Sequence, residues 1–157
     1  MLVNALVELQ SGVDIEQLSC EFHEELEVTV FQRAWRLVIA RHAVLRTSLH
    51  WENLEAPRQD VHARVELPWH EHDWRALRAD EREKSLSGFL DADRRHGFDL
   101  TSAPLFRLTL LRVGDAHIHF IWTFHHTFLQ GRAYCIGPAV GFSFFTGLRS
   151  GCELTPP

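Results

Sequence analysis

Methionine and tyrosine occur once each in this chain of 157 residues, and cysteine three times. Cys20, Cys135 and Cys152 are odd in number, widely spaced and without a CxxC pair. That argues against a disulfide framework or a cysteine-based zinc site and makes a reducing cytoplasm the expected compartment. Long apolar runs are missing too. The longest, around Ile136 to Phe145, is broken by Pro138 and Ser143 and falls far short of the roughly 20 residues that span a bilayer. No basic region precedes a hydrophobic run at Met1-Leu2-Val3-Asn4-Ala5, so neither a secretory signal nor a membrane partner is expected. Positive charge is also in deficit, with 16 Lys and Arg against 21 Asp and Glu, a net −5, which argues against nonspecific nucleic-acid binding. What remains is a chain 45% hydrophobic and 24% charged, of a length that suits one domain and can bury a sizeable core. It is unusually rich in histidine, with 11.

Apolar spacing predicts the elements. Asp14 to Leu26 alternates as a strand, and Val28 to His42 switches to a helical period through Phe31, Ala34, Trp35 and Val38. Leu45 to Trp51 reads as a strand, and Arg58 to Trp74 as one or two short ones punctuated by Pro57 and Pro68. Ala79 to Arg95 is a charged helix carrying Leu86, Phe89 and Leu90 inward, ended by Gly97. Pro104 to Val113 and His117 to Phe124 are two strands joined through Gly114-Asp115 as a hairpin. Ala133 to Leu148 has helical spacing interrupted by Gly137-Pro138 and Gly141. The five tryptophans, Trp35, Trp51, Trp69, Trp74 and Trp122, are expected in the core.

The double histidine His125-His126 directly follows the last strand and precedes a short loop closing at Gly131. An imidazole titrates near neutral pH, so one held at a strand end is well placed for general acid–base work. Adjacent residues on an extended chain face opposite ways, so only one of the pair looks into a given pocket. The pattern equally fits two half-buried strand-end residues satisfied by backbone carbonyls.

Wider motifs favour the first reading. The segment His125-His126-Thr127-Phe128-Leu129-Gln130-Gly131 is similar to an HHxxxDG signature, and Arg41 to Leu49 follows RHxxLRTxF except at its last position. Phe98 to Arg107 follows FDLxxxPLxR, and Gly12 to Ser19 is similar to the stretch entering a first strand. Four such matches, in the right order along the chain, make it resemble the condensation domains of nonribosomal peptide synthetases, within the chloramphenicol-acetyltransferase-like superfamily. The resemblance implies an α/β fold, a mixed and largely antiparallel sheet covered by helices. Residues 1–150 would be the N-terminal lobe and 151–157 a tail or the start of a linker.

The resemblance also implies a reaction: an amide formed between an acyl thioester on one carrier protein and an amine on a second. No cofactor is bound directly; both substrates arrive on phosphopantetheine arms. His126 is then the active-centre residue, either as a base or as the group that holds the amine, and His125 supports the loop. The motif Asp is replaced by Gln130, which can accept a hydrogen bond from its implied partner Arg46 but cannot form the ion pair. Gly131 keeps the tight turn. The family's SxAQxR-like opening motif is missing, and a tunnel between two lobes cannot be built from one. The alternative is therefore a noncatalytic or partner-binding lobe, completed by a second lobe or a homodimer partner.

The other histidines are expected to be structural. His117, His119 and His125 share a strand face but are spread too far along it for one metal ion, so no metal is expected. His42, within the RHxxLRT segment, reads as packing at a helix end, where a positive group also suits the dipole. His23, His50, His62, His70, His72 and His96 share no spacing and read as surface or rim residues.

Overall fold

Apolar residues alternating at Leu18, Cys20 and Phe22, with Ile15 on the opposite face, build strand β2 (Ile15–Phe22), the second strand of a five-stranded sheet. The computed structural model describes residues 8–11 and 14–126. The other strands of that sheet are β1 (Glu8–Ser11), β5 (Trp69–Asp73), β6 (Phe106–Gly114) and β7 (His117–His125), in the order β1-β2-β7-β6-β5. All neighbours are antiparallel except the β5–β6 pair, which is parallel. A second sheet pairs β3 (Thr47–His50) with β4 (Arg58–Val61). Two α-helices, α1 (Val28–Arg41) and α2 (Ala79–His96), and a 3₁₀ turn complete the described elements. This is the mixed, largely antiparallel α/β arrangement expected. Among the described residues, no helix is long and apolar enough to cross a membrane.

The chain divides into two units. One holds the five-stranded sheet and α2, drawn from residues up to Leu26, Pro68–Phe98 and Phe106–His126. Opposite residues of β2 and β7, such as Ile15 and His125 or Glu16 and Phe124, share a face of this sheet. On the Phe124 face lie Leu18, Cys20, Phe106, Phe120 and Trp122, all buried. The other face carries α2: Leu90 packs with Leu111, Val113 and Ile121, supported by Trp74, Leu86 and Phe89. The charged sequence of α2 suits this single-sided burial. Asp80 and Glu81 occupy its first turn and Arg94, Arg95 and His96 its last, each complementing the helix dipole. Gly97, at φ 61°, ends it in a backbone region that a Cβ disfavours.

The other unit contains α1, a 3₁₀ turn over Ala43–Arg46, the β3–β4 pair and Asp99–Leu105. Phe31, Ala34, Trp35, Val38 and Ile39 fall on one stripe of α1 and are buried. Each large apolar side chain buried there contributes about 1.5–3 kcal/mol relative to exposure.

Several expectations need correction. The strand expected from Leu45 starts at Thr47, because Ala43–Arg46 closes a 3₁₀ turn first, with the Thr47 hydroxyl donating to the Ala43 carbonyl at 3.0 Å. β6 begins at Phe106 rather than Pro104, and β1 has no counterpart in the sequence reading. Trp51 is 47% exposed and Trp69 and Trp74 are only partly buried, so just Trp35 and Trp122 are full core residues. The expected apolar segment at Ala133 to Leu148 lies outside the described residues.

Candidate active site

His126 follows β7 immediately, and its backbone N–H donates to the Asp14 carbonyl at 2.7 Å, extending the β2–β7 pairing by one step. Its Nδ1 is hydrogen-bonded to the carboxylate of Glu16. The two side chains contrast sharply: Glu16 is 4% exposed and His126 49%. An ionised carboxylate only accepts, so Nδ1 carries the proton of this bond. In the neutral ring the lone pair is then on Nε2. A buried carboxylate thus orients a half-exposed imidazole and sets its tautomer, the arrangement by which a histidine is made ready to take a proton.

His125 points the other way. Its register partner is Ile15, placing it on the face opposite Glu16, and it is buried. Burial holds its pKa below the usual imidazole range; Asp14 opposes that shift and His126 adds to it. A depressed folded-state value means the fold prefers neutral His125. Its stabilising contribution is therefore complete above the ordinary imidazole pKa and is lost as pH falls through the folded value. In thermal unfolding between about pH 8 and 5, His125→Asn should lose stability less steeply than the parent as pH drops. Equal slopes would rule out this contribution.

Among the described residues, the RHxxLRT and FDLxxxPLxR segments make contacts that hold the backbone. In the first, the Arg46 guanidinium gathers backbone carbonyls: Nε donates to Ile39 at 3.1 Å, Nη2 to Ala40 at 3.4 Å, and Nη1 to His62 and to Ala63. It thereby ties the end of α1, whose last carbonyls lack helical partners, to the chain leaving β4. His42 caps that helix end, as expected, and burial and the neighbouring Arg41 push its pKa down, which disfavours the positive form that would suit the dipole. In the second segment, Asp99 closes a turn by accepting from the Thr101 hydroxyl at 2.7 Å and N–H at 3.0 Å. These bonds hold its carboxyl below the usual range. The two ends of the same motif meet: the Arg107 guanidinium lies 4.4 Å from the Phe98 ring centre and pairs with partly buried Asp93.

A family model described as Condensation domain matches residues 1–136. The chain belongs to the condensation-domain family. It is 44% identical over 157 residues to one linear gramicidin synthase polypeptide of Brevibacillus parabrevis, and 38% identical over 154 residues to another from the same organism. These alignments cover 100% and 98% of this chain but 3% and 2% of the two synthase polypeptides. Among solved structures, the starter condensation domain of rhizomide synthetase superposes with a TM-score of 0.76 at 22% identity. That match covers 92% of this chain and 35% of the other. The chain therefore spans a small part of its synthase relatives and about a third of a solved condensation domain.

Of the condensation-motif residues expected at the site, His125 and His126 are described and Gln130 and Gly131 lie outside the described residues. Arg46 belongs to the α1 unit and its bonds to Ile39, Ala40, His62 and Ala63 stay within it. Glu16 was missed. It sits in the Gly12 to Ser19 segment already matched to the family, but in a strand a lone acidic residue reads as solvent-facing. Its partner is 110 positions away, and only the β2–β7 register brings the two together.

Proposed function

We propose that residues 1–150 form the first lobe of a condensation centre in nonribosomal peptide synthesis. It joins an acyl thioester, carried on the phosphopantetheine arm of one carrier protein, to an amine carried on a second. The reading is supported above all by the Glu16–His126 pair, which engages Nδ1 and leaves Nε2 as the acceptor nitrogen of the half-exposed motif histidine. In the reaction, the amine lone pair adds to the thioester carbonyl carbon and the carbonyl electrons shift to oxygen. Nε2 of His126 accepts the proton the nitrogen sheds. Collapse of the intermediate forms the amide, breaks the C–S bond and returns the proton to the departing sulfur. Because a thioester is already activated, holding the amine within reach of that carbon supplies a further share of the acceleration. His125, buried and neutral-leaning, holds the strand end from behind.

The test is amide formation between an acyl-loaded and an aminoacyl-loaded carrier protein, followed by mass spectrometry, with Glu16→Gln as the probe. The side-chain amide this change introduces can donate to Nδ1, which forces the proton onto Nε2 and turns the acceptor into a donor. A half-exposed ring can partly reorient, so a loss of about 10–100-fold is expected, smaller than for a fully buried triad carboxylate. The loss should be accompanied by a changed pH–rate profile. An unaltered rate and profile would overturn the role given to this pair.

A further inference from the structure

At the far end of β7 from His126, four side chains converge across the β2–β7 pair. Glu21 stands directly opposite His119 in the register, His117 lies two residues before it on the same face, and His23 follows just past the end of β2. Glu21 Oε2 is 3.3 Å from His117 Nε2 and 3.4 Å from His23 Nε2, and the two imidazoles are 4.5 Å apart at their ring centres. One ligand atom from each of Glu21, His23 and His117 lies within 4.8 Å of the others.

These distances have a specific meaning. Tetrahedral zinc bound at about 2.0–2.1 Å sets its ligand atoms about 3.3–3.4 Å apart. Two edges of the cluster already have that length, and the third lies within 4.8 Å. The donor set, two imidazole nitrogens and one carboxylate oxygen, suits zinc rather than calcium or magnesium, which prefer oxygen alone. His119 supplies the outer support such sites use: its Nδ1 is 3.3 Å from Glu21 Oε1, and its Nε2 is bonded to the Ser19 hydroxyl. Glu21, His117 and His119 also line a cavity of about 280 Å³ whose apolar wall includes Trp74, Leu86 and Leu111. A fourth metal position thus has room for water or a small ligand.

We propose that Glu21, His23 and His117 form a zinc site, with His119 positioning Glu21. The ion staples the end of β2 to the start of β7, at the opposite end of that strand from the His125-His126 pair. The site is independent of the condensation chemistry. The row His117, His119 and His125 considered from the sequence is not the one used: His125 lies at the other end of the strand, and the missing ligands come from β2 and the residue just past it.

Titration of chelator-treated protein with zinc alone tests the site, read by calorimetry and by the visible spectrum of the cobalt-substituted form. One ion per chain with a tetrahedral cobalt spectrum is expected. His23→Asn, His117→Ala and Glu21→Gln should each weaken binding by tenfold or more, and His119→Ala by about tenfold. His23 is exposed beyond a strand end, so its variant tests the ligand set without disturbing the core. His70→Ala, at an exposed histidine outside the cluster, should bind as the parent does. Absence of stoichiometric binding, or binding that His23→Asn and His117→Ala leave unchanged, would overturn the proposal.

Discussion

His126→Ala is expected to slow amide formation by about 10²–10⁴-fold, the usual worth of a positioned general base. On the proposed condensation reading, the physical reason is the division of labour between the two nitrogens: Nδ1 is held by Glu16, and Nε2 is the acceptor for the amine proton. Deleting the ring has a second consequence, because the buried Glu16 carboxylate loses a donor and part of its compensation. Some loss of stability should therefore accompany His126→Ala. His126→Asn separates the two effects. Its amide N–H can still reach Glu16, but it offers no base, so the rate falls while the melting temperature stays near that of the parent. Near-parental rates in both variants would leave His126 without a catalytic part.

The largest effect on stability is expected from Asp93→Ala, about 3–5 kcal/mol, the cost of removing one partner from a buried ion pair. Asp93 and Arg107 are 9% and 11% exposed, so water screens neither well. The carboxylate also accepts from the Thr123 hydroxyl and from Gln17 Nε2 at 2.9 Å. Gln17 is itself fully engaged, donating to the Leu90 carbonyl at 3.1 Å and accepting from Arg94 Nη2 at 3.0 Å. One helical carboxylate thus clamps α2 to β2, β6 and β7. Two of its anchors neighbour the site: Gln17 follows Glu16, and Thr123 precedes His126 by three residues. In Asp93→Ala, Arg107 keeps its 2.8 Å bond to the Gly97 carbonyl and its contact with Phe98, so the value should fall toward the lower end of that range. Urea unfolding measures it. Asp93→Leu combined with Arg107→Met should cost less than the sum of the two single changes, since no charge is then left buried alone. A loss under about 1 kcal/mol for Asp93→Ala would show that the network carries little net energy.

Glu16 and Gln17 mark where the strand pattern stops being readable. Both are polar, adjacent and buried, one on each face of β2, at 3% and 1% exposure. Alternation assigns buried positions to apolar residues and treats polar ones as outward-facing. Here each polar group is instead satisfied by a partner more than 70 positions away: Leu90 and Asp93 for Gln17, His126 for Glu16. The 3₁₀ turn at Ala43–Arg46 failed to register for a related reason. Leu45, Thr47 and Leu49 alternate correctly for a strand, but the turn is stabilised by Arg46 and Thr47 reaching backbone carbonyls, contacts that periodicity does not encode.

The sequence by itself determined the family, the two helices with nearly their final limits, the β6–β7 hairpin and the place of the double histidine at the end of β7. Each of these rests on local periods or on contiguous motifs, which survive in one dimension. Only the tertiary structure decided which carboxylate serves His126, that Asp93 and Arg107 lock α2 to the sheet, and that Glu21 and His23 complete the cluster begun by His117. All three depend on strand register and helix placement. A shift of one residue in the β2–β7 pairing would turn Glu16 and Glu21 to the opposite faces and dissolve both clusters at once.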